Sequence, residues 1–461
     1  MTVLDLEKLK EPLLDGRILQ THQIESIDWF LKKVYKSPSL KGGILALDMG
    51  LGKTLIALVI ADLIKAELKS KDLEIIVICP ATLKKNWVNE AKSVDLNLSV
   101  YSWSKLPIVP THDYILIADE AHYAQSGTKS QRGKQFLKLA KSKKSVINLL
   151  LTGTPLKNGR PINLLPLLSA CNHPLSFNKY YYEAHFCAGR RTPFCAWDTN
   201  GASNLPELHL STKDVILRKS KEDCLDLPPK TRIFKDAELT DPIRKVYVDA
   251  IKTIKGQTEQ KLRMLDEVEK TQQILLAEQA IYRTALLKLR QVTEAAKIDS
   301  TASLIQQLLE QNEQVVVFVE FLESIKELKE IFREAIVLTG DTPVNSRQGL
   351  VDSFQKGEKK LFLTTSKAGG VGITLTSANY VLLVSRPWTP GDAYQAEDRC
   401  NRIGQTKPVF SYWLQLGNLD KTLDKVLCRK GENIELVLNG KVKRVDLKDM
   451  TQMLVQSELN L

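Results

Sequence analysis

Short, continuously apolar runs alternate with helical patterns along this chain, twice over, and few folds accept that alternation. In the first half the runs are Glu74 to Ile78, Tyr114 to Ala118 and Val146 to Leu151, with helical patterns after Thr54, Thr82 and Pro161. In the second half they are Val315 to Val319, Ile336 to Leu338, Leu361 to Leu363, Val381 to Val384 and Phe410 to Leu414. A strand covered on both faces has no solvent side, so it reads as an unbroken apolar run, and intervening helices supply the crossovers that parallel pairing requires. The pattern predicts an α/β fold with two parallel-sheet domains. Residues 240–298 carry no strand signal and are rich in Gln, Glu, Lys and Leu, which predicts long helices paired as an antiparallel hairpin. Leu227-Pro228-Pro229-Lys230 is the predicted domain junction, since two prolines stop a helix and extend the chain.

The first domain carries Gly50-Leu51-Gly52-Lys53-Thr54 between the apolar run Gly43 to Leu47 and the helix-like run Leu55 to Ile60. Strand, loop and helix in that order are the setting of a phosphate-binding loop. Gly50 and Gly52 let backbone N–H groups approach phosphate oxygens, the helix N-terminus adds partial positive charge, Lys53 reaches the outer phosphates and the Thr54 hydroxyl can ligate magnesium. The general loop has a further glycine where this chain has Leu47, so by itself the motif is also compatible with a helix-start turn packed in a core. Asp119-Glu120-Ala121-His122 follows the run Tyr114 to Ala118, whose C-terminal end delivers both carboxylates to the edge where open α/β sheets bind ligands. Asp119 is then the magnesium holder, and Glu120 orients and deprotonates the attacking water. Together the two motifs imply ATP hydrolysis.

Sixty-five Lys and Arg against 54 Asp and Glu leave a net charge of +11, which favours a polyanionic partner, although a solvated basic surface accounts for the same numbers. No apolar run reaches the roughly 18 residues that span a bilayer. The start, Met1-Thr2-Val3-Leu4-Asp5-Leu6-Glu7, lacks the basic-then-apolar order of an export signal. A soluble intracellular chain without membrane contact is expected, cytoplasmic in a prokaryote or virus and nuclear in a eukaryote. The seven cysteines form no CxxC pair, which argues against a disulfide framework. His173, His185, Cys187 and Cys195 have ligand types that suit zinc, but their loose spacing favours reduced structural cysteines. Lys84 and Lys85 follow Pro80-Ala81-Thr82 at a predicted helix start, where N–H groups and ammonium charges can hold a phosphate; solvated helix charges are the plainer alternative.

The second half adds Thr365-Ser366-Lys367-Ala368-Gly369-Gly370-Val371-Gly372-Ile373-Thr374-Leu375, then Gln395-Ala396-Glu397-Asp398-Arg399-Cys400-Asn401-Arg402-Ile403-Gly404-Gln405. With these motifs in this order the chain resembles the Swi/Snf-type DNA translocases of helicase superfamily two. The likeness runs from Thr21-His22-Gln23 through Asp48 to Thr54, Cys79 to Leu83, Asp119 to His122 and Leu151 to Asn158, and ends at the arginine motif. Arg191 to Asp198, Gly201 to Leu205, Glu207-Leu208 and Gly372 to Thr376 are further similar to the annealing-helicase branch, whose members rewind DNA and remodel stalled forks. The chain departs from the family pattern at Leu47, where an acidic residue is usual, at Gln20 and His22, where Arg and an aromatic are common, and at Asn401, where His is common. Those positions bear on adenine contact and on coupling of the arginine motif to DNA, not on the hydrolytic groups.

The resemblance implies two RecA-like parallel-sheet lobes with inserted helical protrusions. Lobe one would span 1–227, with the ATP-binding loop, the Asp-Glu-Ala-His motif and a helical insertion near 160–225; lobe two would span 228–461, with a helical protrusion near 240–298 and a C-terminal helical segment. ATP and magnesium are the implied cofactors. His22, Gln23, Met49, Gly50, Leu51, Gly52, Lys53, Thr54 and Gly372 would bind the nucleotide, Gln23 reading the adenine. Lys53, Asp119, Glu120, Arg399 and Arg402 would be catalytic, the two arginines contacting nucleotide from the second lobe, with Thr54 and Asp119 on the metal. His122, Thr152, Thr154 and Gln395 would couple nucleotide state to movement. Thr82, Lys84, Lys85, Ser102, Gly340, Arg347, Lys367 and Trp388 stand at nucleic-acid contact positions, with Trp103 beside Ser102. The implied activity is ATP-driven translocation of a monomer on duplex or forked DNA, remodelling DNA or DNA–protein complexes, with strand annealing from the branch likeness and targeting by a partner protein. A strand-separating helicase and a nucleotide-gated DNA-binding scaffold with weak hydrolysis are the alternatives.

Overall fold

The apolar runs of the first half fold as strands because they have no face to give to water. The computed structural model describes residues 9–70, 72–156, 159–192, 195–266, 272–369 and 373–439. Strands lie at Gly42–Leu47 (β1), Glu74–Cys79 (β2), Ser99–Ser102 (β3), Tyr114–Asp119 (β4) and Ser145–Leu151 (β5). A two-stranded ribbon of Arg190–Thr192 (β6) and Cys195–Asp198 (β7) follows, then Ile216–Lys219 (β8). Every residue of β1 and β4 is buried. The six strands outside the ribbon form one parallel sheet in the order β3-β2-β4-β5-β1-β8.

Strand β5 therefore lies between β1 and β4, and its last residue, Leu151, pairs with Leu45 on one side and with Asp119 on the other. That register brings the ends of three strands to one sheet edge. The helix Lys53–Leu68 leaves the same edge and buries Leu55, Ile56, Leu58, Val59, Ile60 and Ile64. Each such side chain contributes about 1.5–3 kcal/mol on burial, so the helix is fixed by packing and its N-terminus cannot drift from the sheet.

The second half has strands Lys230–Asp236 (β9), Val315–Val319 (β10), Ile336–Leu338 (β11), Leu361–Thr365 (β12), Tyr380–Leu383 (β13) and Val409–Gln415 (β14). They form a second parallel sheet in the order β11-β12-β10-β13-β14-β9. Helices Asp241–Asp266 and Gln272–Ala296 are paired, with Gln257 bonded to Lys288 and Tyr247 to Thr293, the descending order of an antiparallel hairpin. Ile254, Tyr282, Leu286 and Leu289 cluster with Leu419 and Leu423.

Two parallel six-stranded sheets, one in each half of the chain, are thus present. The chain divides into two compact units, one made of residues up to Arg190, Trp197–Asp226 and the stretch from Gly431, the other of Arg191–Ala196 and Leu227–Lys430. Strands β3, β8 and β9, which the apolar runs did not predict, lie at sheet edges, and no residue of the three is fully buried. An edge strand has one open side and tolerates polar side chains, so its sequence carries little apolar signal. Among the described residues no helix is long and apolar enough to cross a membrane.

A candidate nucleotide site and candidate nucleic-acid contacts

Strand β1 ends at Leu47, and the turn through Met49, Gly50, Leu51 and Gly52 leads into the helix at Lys53. Gly50 and Gly52 have φ of 88° and 77°, a left-handed conformation that favours glycine. Gly52 is constrained twice, because an added Cβ would lie 2.1 Å from Gln23 Nε2. Gln23 is held there by its own bonds: Oε1 accepts from the Gln20 N–H at 2.9 Å, and Nε2 lies 3.5 Å from the Leu51 carbonyl. The His22 ring donates to the same carbonyl at 3.1 Å, and burial lowers its pKa from the ordinary histidine range. The Thr21-His22-Gln23 motif therefore packs on the Leu51–Gly52 turn. Gly52→Ala is expected to add about 1–3 kcal/mol of backbone strain and to displace Gln23. Thermal unfolding with and without nucleotide checks this: the melting temperature and the nucleotide-induced shift should both fall.

The Lys53 ammonium donates to the Leu47 carbonyl at 2.8 Å and the Asp48 carbonyl at 3.0 Å, which holds it at the mouth of the turn. Leu47, the departure from the family pattern, is fully buried in β1, so its side chain serves the core and only its carbonyl enters the site. Asp48 carries the local acid and accepts from Arg218 Nη1 at 2.6 Å and the Lys221 N–H at 3.0 Å.

Asp119 closes β4 at 6% exposure. Its Oδ2 accepts the Trp87 indole N–H at 3.0 Å, its Oδ1 the Glu120 N–H at 2.9 Å, and its carbonyl the Trp103 indole N–H at 2.7 Å. Burial first, then the Glu120 charge, push its carboxyl up to about 6, against the opposing pull of Trp87 and Lys53. Two neighbouring carboxylates of which one is buried form an arrangement that a divalent cation relieves. Glu120 has φ of 51°, a strained left-handed value for a non-glycine residue of the kind that gathers at functional sites. Its Oε2 lies 3.1 Å from Nδ1 of His122, which is buried and stacked on Tyr123 at 4.7 Å.

After β5, the Thr152 hydroxyl accepts the Thr154 N–H at 3.1 Å, and Gln125 donates to the Pro155 carbonyl at 2.6 Å, tying this turn to the segment that follows His122. The Thr154 hydroxyl oxygen is buried with no hydrogen-bond partner among the described residues. An added Cβ at Gly153 would lie 3.4 Å from the Leu47 carbonyl and 4.0 Å from Lys53 Nζ. The first unit thus gathers Lys53, Asp119 and the Thr152–Thr154 turn at one sheet edge. The left-handed glycines, the Lys53 ammonium, a helix N-terminus with no side-chain cap, the Thr54 hydroxyl and buried Asp119 fit a magnesium–nucleoside triphosphate, anion donors facing phosphate and hard oxygens facing the cation.

In the second unit Arg399 is 1% exposed and donates to the Gln395 carbonyl at 3.1 Å and the Ile373 carbonyl at 3.2 Å. Arg402 is half-buried and reaches the same Ile373 carbonyl at 3.3 Å and Thr374 Oγ1 at 2.9 Å. Gln395 is itself buried. Gly372 lies outside the described residues.

The predicted helix start at Lys84 is present, a short turn Ala81–Leu83 leading into Lys84–Ala91. Thr82, Lys84 and Lys85 are exposed. The two lysines line a groove of about 430 Å³ with Val88, Asn89, Leu98 and Val100. Ser102 bonds Ser104 at 2.9 Å, whereas Trp103 is 4% exposed and packs on Phe136 and Tyr123, so it braces the core and Asp119 and offers no face to a base. Arg347 donates to the carbonyls of Thr339, Gly340 and Thr342, and so braces the turn that carries Gly340. Lys367 is exposed, and Trp388, 46% exposed, lies over the buried Arg290 guanidinium at 4.1 Å. Of the zinc-type cluster, His185 pairs with Glu207 and His173 with Asp214, and the Cys195 side chain lies outside the described residues. Trp87 and Gln125 belong to the site but were invisible in the sequence, where nothing marks a core indole or a loop amide as the partner of a motif.

The SNF2-related domain model matches residues 22–107 and 105–298, and the Helicase conserved C-terminal domain model matches 296–404. The chain is 28% identical over 443 residues to the mouse DNA annealing helicase and endonuclease ZRANB3, an alignment covering 86% of this chain and 39% of that protein. It is 31% identical over 407 residues to the Xenopus tropicalis SWI/SNF-related matrix-associated actin-dependent regulator of chromatin subfamily A-like protein 1, covering 80% of this chain and 40% of the relative. The chain thus spans well under half the length of these curated relatives. The Sulfolobus solfataricus SWI2/SNF2 ATPase core, solved in complex with dsDNA, aligns over 95% of this chain and 96% of its own at 21% identity and a TM-score of 0.42.

Proposed function

The chain belongs to the SNF2-related family, and we propose that it is a DNA-dependent ATPase that hydrolyses ATP to translocate on duplex or forked DNA. The observation that carries this reading is the convergence of Lys53, Asp119 and the Thr152–Thr154 turn at adjacent strand ends. The backbone of Gly50 to Gly52 cradles the phosphates, Lys53 takes charge from the outer phosphates, and Gln23, held on the turn, reads the adenine. Thr54 and Asp119 would hold magnesium, which supplies neutralisation of charge on the phosphate oxygens. Glu120 orients the attacking water and takes its proton on the carboxylate, beside His122. Arg399 and Arg402 are assigned to the charge that develops on the transferred phosphoryl group.

Duplex or forked DNA is the proposed partner. The net charge of +11 and the exposed surface of Thr82, Lys84 and Lys85 support backbone tracking, which predicts salt-dependent binding with little sequence preference. Strand rewinding is the finer activity assigned here, on the likeness to the annealing-helicase branch in Arg191 to Asp198.

ATP turnover measured side by side with single-stranded DNA, blunt duplex, fork and RNA tests the proposal. Duplex or fork should stimulate strongly and RNA little. Stimulation by RNA with duplex and fork inert would overturn it.

A further inference from the structure

A cluster of ionised side chains lies beside the arginine segment, in the second unit, where the chain enters that unit. Glu397, the last residue of helix Pro390–Glu397, is fully buried, which a glutamate rarely is without partners. Here it has several. Arg232 of β9 grips it bidentately, Nε to Oε1 at 2.9 Å and Nη2 to Oε2 at 2.7 Å, while Ser411 Oγ and the Trp413 indole N–H of β14 each donate to Oε1 at 2.8 Å. Lys230 Nζ stands 3.4 Å from Glu397 Oε2 and 3.2 Å from Asp398 Oδ1. The Arg232 guanidinium is fixed in turn by Trp413, 4.2 Å from its ring, and by Tyr394 at 5.1 Å. Burial alone would raise the Glu397 carboxyl, but Lys230 and Arg232 outweigh it and hold it below the usual glutamate range.

Four residues beyond Glu397, Asn401 donates from Nδ2 to the Pro228 carbonyl at 3.3 Å, and the Val409 N–H of β14 donates to the Pro229 carbonyl at 2.9 Å. The arginine segment is therefore attached on both sides of Arg399 to one short stretch of chain, Pro228 to Arg232. Two consecutive prolines with fixed φ make that stretch stiff, so displacement of it is transmitted and not absorbed. Asn401 is also the position at which the chain departs from the family's usual histidine.

We propose that Glu397 and Asn401 are positioning residues that fasten the arginine segment to the entering strand, so that Arg399 and Arg402 take their placement from the Pro228–Arg232 stretch. The inference rests on the reading of Arg399 and Arg402 as residues of ATP hydrolysis. A carboxylate whose only role was core packing would be replaceable by any well-packed side chain, whereas the fork-to-fork geometry with Arg232 fixes direction as well as distance.

Steady-state turnover on duplex DNA and hydrogen–deuterium exchange of the full chain test this with Glu397→Gln and, as a variant that leaves the buried charges intact, Asn401→Ala. Loss of a supporting partner costs about 10–100-fold in activity where it orients an active group. Glu397→Gln is expected to lower kcat by that range with the KM for ATP unchanged, and Asn401→Ala to lower it less. Both should speed exchange at 399–405 and leave 53–68 unchanged. Equal change across both segments, or unchanged exchange at 399–405 in both variants, would overturn the clamp. A wild-type chain without DNA-stimulated turnover would defeat the functional reading instead, and the exchange comparison, which needs no turnover, still decides the clamp.

Discussion

Arg402→Ala is expected to lower DNA-stimulated ATP turnover by about 10³–10⁵-fold, or about 4–7 kcal/mol of transition-state stabilisation, the range of an arginine that meets phosphoryl charge. The melting temperature should hardly move. Arg402 is half-buried and its bonds, to the Ile373 carbonyl and Thr374 Oγ1, end on a segment that Arg399 also supports. Arg399 differs, since it is 1% exposed and bridges the Gln395 and Ile373 carbonyls. Its removal takes a buried donor from those carbonyls, so Arg399→Ala should lower both turnover and melting temperature. Turnover, nucleotide affinity and thermal unfolding on the same two variants separate the roles. An Arg402→Ala chain within tenfold of wild-type turnover would remove Arg402 from catalysis.

Lys53→Ala should cost roughly 10²–10³-fold in kcat, the usual effect of deleting one preorganised charge at a reacting centre. Its fold should persist, because the Lys53 side chain is only half-buried and its partners are the backbone carbonyls of Leu47 and Asp48. A second consequence follows from electrostatics. Lys53 lowers the Asp119 carboxyl, which burial and Glu120 hold at about 6. Without that cation the carboxyl titrates higher, so it stays protonated to a higher pH. In the absence of magnesium the Asp119 carboxyl of the variant should accordingly titrate at a higher pH than that of the wild type. A pH titration of the two metal-free chains, followed by tryptophan emission, checks this, and coincident curves would sever the Lys53–Asp119 coupling.

Where strands are covered on both faces, their positions were legible. Val315–Val319 and Ile336–Leu338 have the predicted limits, and Tyr114–Asp119 differs by one residue, because a continuous apolar run leaves no second interpretation once the turns are marked. Lys230–Asp236 was not legible, since its alternating charged residues serve side-chain partners from another strand and a helix. The same limit applies to the site. Gly50 to Thr54 and Asp119-Glu120 are local motifs whose residue types announce their chemistry. Trp87 on Asp119, Gln23 beneath Gly52 and Glu397 on Arg232 are pairings between distant stretches, and tertiary packing creates them. Lys84 and Lys85 were placed at a helix start by the proline before them, and the helix is there.

The two indoles on Asp119 give the molecule an optical reporter of its own. Trp87 donates to the carboxylate and Trp103 to the carbonyl of the same residue, and the chain has only six tryptophans in all. A change of charge or ligation at Asp119 alters the electric field on two rings that are almost wholly shielded from water. Their emission can therefore record the state of Asp119 without an added dye, and Trp87→Phe tells which ring carries the signal.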